Sequence, residues 1–521
     1  MELVLTSLGS IPWWGWILIG LALVALYDIN QKKHAIRHNF PIVGNLRYFL
    51  ESFGPELRQY IVANNREELP FNRQQRAWIY SSSKQENNFQ GFGTDQDITS
   101  AGYIFINPAL LPLKLSPDNP NYGQPYTAPA AKVIGVFHKR RRPYHPRSIV
   151  NISGMSFGSL SAKAIESMNK GALKFGCYHN TGEGGLSSYH KFGADVVVNI
   201  GTSYFGVRDD EGNFVMEKLV KLVETNPFVR MLELKLSQGA KPGKGGVLPA
   251  AKITAEISEI RHVPMGKDVI SPASHSAFSD IPSMVAFIEA MAEKTGLPVG
   301  IKSAVGKLEL WKELADYMLE TGKGPDFITI DGGEGGTGAA PPSFADHVSL
   351  PFVYGFSKIY RIFQKRGLVH RITFIASGKL GLPESAVMAF AMGADLINVG
   401  REAMLSIGCI QAQICHTNRC PSGVATQNKW LQNGIDPTLK SERFYNYIKT
   451  LTKEILEISH AAGYEHPCQF TMKDVDLAMG DNNKIQTLAE AYGYRKDEVP
   501  FTSIADLLNS PYIDKHENKK P

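Results

Sequence analysis

Cys409, Cys415 and Cys420 bring three of the chain's five cysteines into one short stretch, CIQAQICHTNRCPSGVATQ. Thiolates are soft ligands, and such a density points to a metal or a redox centre. The spacing C-x5-C-x4-C is neither the C-x2-C pair of a zinc ribbon nor a C-x-x-C redox pair. Three thiolates without a clear fourth are too few for a closed tetrahedral zinc site. They suit an iron–sulfur cluster with three cysteine-bound irons. Zinc stays open as an alternative, with His416 as its fourth ligand, and a purely structural group of thiols stands behind it. Pro421 can turn the chain away from a cluster. Cys177 and Cys468 lie far off and read as packing or surface thiols.

A second chemical signal is glycine. The chain has 48, and many fall in four loops: NTGEGG (Asn180–Gly185), QGAKPGKGG (Gln238–Gly246), DGGEGGTGAAP (Asp331–Pro341) and SGK (Ser377–Lys379). Without a Cβ, the backbone N–H groups can approach an anion closely. One such loop reads as a tight turn. Four at one end of a sheet read as a cofactor site.

The elements that must position these loops become regular after Arg147. Short β-branched runs such as SIVNISG, DVVVNIG, MLELKLS, FITIDGG and ITFIASG alternate with helical stretches such as SAKAIESMNKGALKFG and PESAVMAFAMG. Repeated strand-then-helix units imply a parallel sheet, and runs apolar on both faces imply strands buried on both sides. About eight units over roughly 280 residues is the size of an α/β (β/α)8 TIM barrel, with an open doubly wound sheet as the runner-up. In a barrel, the glycine loops fall at the C-terminal strand ends, where chemistry sits.

The flanks are expected to be extensions of this barrel. Residues 1–30 read as a transmembrane anchor, with a buried helix of the body as the alternative. IPWWGWILIGLALVALY is nearly all apolar and long enough for roughly 25 Å of helix. Trp13, Trp14, Trp16 and Tyr27 lie toward its ends, and Lys32, Lys33 and Arg37 follow it. The positive-inside rule then expects a single-pass protein of the cell membrane with its body in the cytoplasm. Residues 31–147 read as an extension packing on the barrel. In it, ESFGPELRQYIVANN is helical, REELPFNRQQRAWIYSSSK irregular, a proline-rich stretch extended, and HKRRRPYHPR a solvated basic face. The barrel with its cysteine loop spans 148–429, and 430–521 reads as a helical C-terminal extension. The net charge of +5 over 521 residues does not argue for nucleic acid, and five cysteines are no disulfide scaffold.

The cysteine stretch closely resembles the cluster loop of glutamate synthase, down to its CPSGVATQ tail. MSFGSLS (Met155–Ser161), NTGEGG, QGAKPGKGG, SPASH and GGTGAAP follow the order found in that family. The resemblance covers about Arg147 to Lys429, the FMN-binding synthase domain. It implies a (β/α)8 barrel, FMN at the strand ends, and a 3Fe-4S cluster on Cys409, Cys415 and Cys420 near it. It also implies an oxidoreductase acting on CH–NH2 groups. Ammonia and 2-oxoglutarate would form 2-iminoglutarate, which reduced FMN converts to L-glutamate.

By the same resemblance, Lys235, Gln238, Lys241 and Arg261 hold 2-oxoglutarate, and Glu183 and Lys241 are the catalytic positions, Glu183 near the ammonia entry. Ser153, Met155 and Ser156 match the first flavin loop. Lys302 is placed to favour negative charge on the reduced ring. Gly332, Gly333, Gly335, Gly336 and Thr337 match the glycine loop, and Gly378, Lys379, Gly400 and Arg401 are phosphate-side positions. Three departures shape the expectation. The family's glutaminase domain, with its nucleophilic cysteine, has no counterpart before Cys177. No strand–GxGxxG–helix unit is evident. Glu334 is interposed in DGGEGGTGA. Ammonia and electrons are therefore expected from outside, the electrons from ferredoxin or a reductase subunit. The alternatives are a flavin and iron–sulfur oxidoreductase of another amine or amino acid, or a membrane-tethered electron-transfer module.

Overall fold

Eight parallel strands close into a barrel in the computed structural model, which describes residues 12–117, 122, 127–480 and 484–493. They are β1 (Val150–Ile152), β2 (His179–Asn180), β3 (Val196–Ile200), β4 (Val229–Lys235), β5 (Val299–Ser303), β6 (Phe327–Asp331), β7 (Thr373–Ser377) and β8 (Leu396–Val399). Each pairs with its neighbour in chain order, and β8 returns to β1 through Ile397↔Val150 to Val399↔Ile152. This excludes the open doubly wound sheet. Seven of the strands grow from the expected β-branched runs. β2 does not: it is two residues long, too short to leave a periodic signal, and two 3-10 turns (Gly182–Gly184 and Ser188–His190) stand where its helix would be.

The surrounding helices are α1 (Ala162–Phe175), α2 (Met216–Thr225), α3 (Ile281–Thr295), α4 (Glu309–Thr321), α5 (Phe352–Gln364), α6 (Pro383–Ala391), α7 (Arg401–Ser406) and α8 (Pro437–Ala461). Their ends follow local chemistry. Ser161 Oγ accepts the Ala164 N–H to cap α1, and Gly176 closes it at φ 92°, a conformation that suits glycine. α8 buries Phe444, Tyr447, Ile448, Leu451 and Ile455, a helical ladder, against the barrel's outer layer. It crosses α1 at Gly171, where a Cβ would lie 2.7 Å from Ser441 O. Each such buried side chain contributes about 1.5–3 kcal/mol.

The extensions differ from the sequence reading in three places. The C-terminal extension is not helical throughout: after α8, Val475–Ala478 and Ile485–Thr487 form an antiparallel sheet with Ile104–Ile106 from the other flank. Strands this short, paired across the length of the chain, leave no local pattern. The FTSIADLLN run and the first eleven residues lie outside the described residues. The stretch read as irregular contains a helix, Arg73–Lys84, where Asn72 Oδ1 accepts the Gln75 N–H and Gln75 Oε1 accepts the Asn72 N–H. The basic run is only partly a solvated face. Arg140 is nearly buried and bridges Glu289 at 2.6 Å and Asp326 at 2.9 Å, with His138 Nδ1 at 2.8 Å from the same Asp326. Asp326 precedes β6, so these ion pairs sit at the end of the barrel opposite the glycine loops.

The chain divides into two units, Met1–Arg76 and Ala77–Pro521. In the first, Trp13–Asn30 is one exposed helix, by length and composition able to cross a membrane.

Candidate functional site

Glu183 is the centre of a charged cluster at the C-terminal ends of the strands. It lies in the 3-10 turn after β2, and Lys235 is the last residue of β4. Lys235 Nζ lies 2.9 Å from Glu183 Oε2 and donates to Gln238 Oε1 at 2.6 Å. Gln238 in turn donates to Gly336 O at 3.3 Å, which ties this loop to the glycine loop after β6. Lys241 is buried and donates to Ala339 O at 2.9 Å. Arg261, the last residue of the helix Ala255–Arg261, donates to Phe157 O at 2.8 Å, and its Nε is buried with no partner.

The four groups set one another's charge. Burial alone would raise the Glu183 carboxyl, but Lys235, Lys241 and Arg261 together hold it down at about 2. Burial lowers Lys241 to about 8, against the pull of Glu183. Burial also lowers Arg261 to about 10. Three cations therefore face one carboxylate, an excess of positive charge that a small dianion would balance. The glycines around it let Glu183 and Arg261 approach the backbone closely. A Cβ at Gly246 would stand 2.3 Å from Glu183 Oε1, and one at Gly184 2.7 Å from Arg261 Nη2.

A second group lies on the neighbouring strand ends. Lys302, buried on β5, stands 3.6 Å from Asp331 Oδ2 at the end of β6. Burial would lower its pKa, but Asp331, Glu233 and Glu183 raise it, so the ammonium stays charged. Asp331 also accepts the Ser377 hydroxyl at 2.7 Å and the Gly239 N–H at 2.9 Å. In the glycine loop, Gly332, Gly333 and Gly335 direct their N–H groups to Ser377 O, Leu350 O and Gly332 O. Those three amides are occupied in shaping the loop, and Thr337 Oγ1 reaches Ala339 O at 3.4 Å.

Lys379, after β7, and Arg401, after β8, are the cations of the phosphate-side group. Burial lowers both and Arg401 lowers Lys379 further, while Glu402 and Glu334 act on both in the opposite direction. Gly378 sits at φ 133°, and a Cβ there would meet the Gly332 backbone at 3.2 Å. Gly400 lies beside Met155 and Ser153: its Cβ would be 3.5 Å from Met155 Cε and 3.8 Å from Ser153 Cβ. Ser156 backs onto Gly182. Glu334, the interposed residue, accepts the Phe352 N–H at 2.7 Å at the start of α5, and its backbone carbonyl accepts Arg401.

The three cysteines of the C-x5-C-x4-C segment line one small hollow, partly open to solvent. Its walls are apolar, with Met404, Ile410, Ile414, Val424 and Ala425. His416 is not among the residues that line it. Among the described residues, no three His, Cys, Asp or Glu side chains are close enough to share one metal ion. The thiols thus share a cavity without converging on a point.

Sequence reasoning missed three contributors. Lys252 is buried, with its pKa lowered to about 8 by burial, and it donates to Ser159 O at 2.5 Å and Cys415 O at 3.2 Å. It joins the cysteine segment to the loop after β1, as does Gln427, which donates to Leu160 O at 2.8 Å. A lone lysine in the apolar run LPAAKITAEI was the available signal. The third is Glu233, inside the barrel, which accepts Asn180 at 2.7 Å, Asn199 at 2.6 Å and Thr329 at 2.8 Å.

Residues 128–465 match the conserved region of glutamate synthase. The glutamate synthase large subunit-like protein YerD of Bacillus subtilis (strain 168) is 37% identical over 498 residues, covering 89% of this chain and 94% of that protein. An archaeal-type glutamate synthase [NADPH] of Thermotoga neapolitana is 33% identical over 317 residues, 60% of this chain and 59% of that one. A ferredoxin-dependent glutamate synthase of Pyropia yezoensis is 30% identical over 357 residues, 64% of this chain but 22% of that protein. The barrel, the order of its loops and these matches agree, and the chain belongs to the glutamate synthase family.

Proposed function

We propose that the chain is an FMN- and iron–sulfur-dependent oxidoreductase that aminates 2-oxoglutarate reductively to L-glutamate. The observation that carries this reading is the Glu183 cluster: three cations around one carboxylate at the strand ends, with Gln238 beside them. A dicarboxylate would engage Lys235, Lys241 and Arg261, and arginine can grip a carboxylate with two parallel bonds. The unpartnered Arg261 Nε gives such a ligand a buried donor. Ammonia then adds to the keto carbon and water leaves, giving 2-iminoglutarate. Lys241, lowered to about 8, can release a proton to the departing oxygen near neutral pH. Glu183 is ionised and suited to hold an incoming ammonium by charge and hydrogen bonding.

Two groups of residues fit the implied cofactors. Lys302 offers a buried cation to a flavin ring, and Lys379 and Arg401, with Gly378 and Gly400, offer paired positive charge to its phosphate. Cys409, Cys415 and Cys420 line one hollow, and three thiolates without a fourth suit a three-iron cluster. Bound there, FMN would supply hydride to the imine, fed by electrons from the cluster. Electrons would come from a separate donor such as ferredoxin or a reductase subunit, and ammonia from a separate supplier. The Trp13–Asn30 helix would anchor the protein in the cell membrane, with its body in the cytoplasm.

The test is to purify the protein anaerobically and titrate it with 2-oxoglutarate while recording flavin absorption, then add ammonium and a reduced donor and assay L-glutamate. Saturable spectral change, lost in Lys235→Ala, followed by glutamate formation, is the expected result. A flavin spectrum indifferent to 2-oxoglutarate would remove the dicarboxylate assignment and favour another amine or amino-acid substrate.

A further inference from the structure

We infer that a second segment, Phe40–Val62, lies in the surface of the bilayer as an amphipathic helix beside the anchor. The sequence alone made this region a polar extension of the body. In the structure, Val43–Leu57 is a helix in which only Gly44 is buried. Val43, Leu46, Phe49, Leu50, Phe53 and Leu57 are all exposed. At 100° per residue they fall within an arc of about 120°, the stripe of a helix that buries one face. Arg47, Glu51 and Arg58 lie outside that arc, and Arg47 pairs with Glu51 at 2.9 Å. The apolar exposure continues past the helix to Ile61.

A helix of this length is marginal in water unless something covers its stripe. Its surroundings identify the cover as lipid. The segment is pinned to the end of the exposed apolar helix Trp13–Asn30 by Asp28, whose buried carboxylate accepts the Ile42 N–H at 2.9 Å and Asn45 Nδ2 at 2.5 Å. Ile42 there adopts φ 67°, a conformation rare for a β-branched residue, at a sharp turn between the short helix Ala35–Asn39 and Val43–Leu57. Residues 31–62 carry Lys32, Lys33, Arg37, Arg47 and Arg58 against Glu51 and Glu56. An apolar stripe with a net positive fringe, emerging where an apolar span ends, matches the headgroup boundary of an anionic leaflet.

This rests on the proposed anchor only in part, and one experiment separates the two. A photo-crosslinking amino acid is placed singly at Leu18, Glu51 or Phe53 of the full-length protein. Each protein is reconstituted with phosphatidylcholine vesicles, with and without phosphatidylglycerol. The expected result is lipid adducts at Leu18 and Phe53 and none at Glu51, with the Phe53 yield falling when phosphatidylglycerol is omitted. Lipid at Leu18 but protein or no adduct at Phe53 overturns the inference and leaves the anchor. Lipid at Phe53 but not at Leu18 keeps the inference and removes the anchor. Lipid at neither position removes both. Equal lipid adducts at Glu51 and Phe53 also overturn it, because the helix would then have no lipid-facing side.

Discussion

Lys235 Nζ lies 2.9 Å from Glu183 Oε2, joining the end of β4 to the turn after β2 across 52 residues of sequence. The pair sets the electrostatics of the site: Glu183 is ionised because Lys235, Lys241 and Arg261 surround it, and they tolerate one another because it is ionised. Glu183→Gln should therefore destabilise the protein at neutral pH, by on the order of 2 kcal/mol. The folded carboxyl titrates at about 2, below its ordinary value. Its contribution is fully present above the unfolded pKa and is lost as pH falls through the folded one. Denaturant melts should show the gap between wild type and Glu183→Gln closing between about pH 4.5 and pH 2. A constant gap would mean that the charge of Glu183 does not matter to folding.

The Lys241 ammonium, lowered to about 8 by burial, predicts the pH dependence of dicarboxylate binding. Below that value it is charged and attracts the ligand, and above it the charge is lost. The Kd for 2-oxoglutarate should rise with pH above about 8, by up to about tenfold per unit. Lys241→Arg, which keeps its charge, should flatten that limb. Calorimetric titration across pH 7 to 10 checks it, and a flat profile in the wild type would count against Lys241 as a ligand to the carboxylate.

Backbone packing between the loops makes Gly239 intolerant. A Cβ there would lie 1.8 Å from Gly332 O, whereas one at Gly306 meets nothing within 4 Å. Gly239→Ala should lose about 1–3 kcal/mol by chemical denaturation, as overpacked sites do, with Gly306→Ala close to wild type. The same variant should disturb Asp331, to which the Gly239 N–H donates.

Cys415→Ser and Cys420→Ser should remove iron and any three-iron EPR signal from the anaerobically purified protein. Cys177→Ala should not, because Cys177 is buried and does not line the hollow. Retention of the full signal in Cys415→Ser would exclude the proposed ligand set.

Glu233→Ala should be among the most destabilising changes in the barrel. It would strip the acceptor from Asn180, Asn199 and Thr329 in a site without water access. Stranding several buried donors costs about 3 kcal/mol or more. A measured change below about 1 kcal/mol would mean that these side chains find other partners.

Much of this molecule was legible from local pattern. Runs such as FITIDGG and ITFIASG became β6 and β7 because a strand apolar on both faces has one stable home, between a packed interior and a layer of helices. The cysteine spacing and the glycine loops are likewise local patterns that the sequence carries by itself. Other elements escaped. His179–Asn180 is a strand only because β1 and β3 flank it. HKRRRPYHPR reads as a surface, yet Arg140 is drawn inside by Asp326 and Glu289. Val43–Leu57 carries a stripe that sequence alone could have shown, and its full exposure could not be known.

Periodicity, caps and ligand types are properties of about ten consecutive residues, and the chain carries them whatever its final shape. Closure of the barrel is a different matter. It alone brings Lys235, Lys241 and Arg261 around Glu183, and packs Lys252 between the cysteine segment and the loop after β1. The lowered Lys241, the ionised Glu183 and the shared hollow of the thiols all arise from burial and proximity across distant segments. Desolvation and Coulomb energies depend on distances that no local stretch of sequence contains.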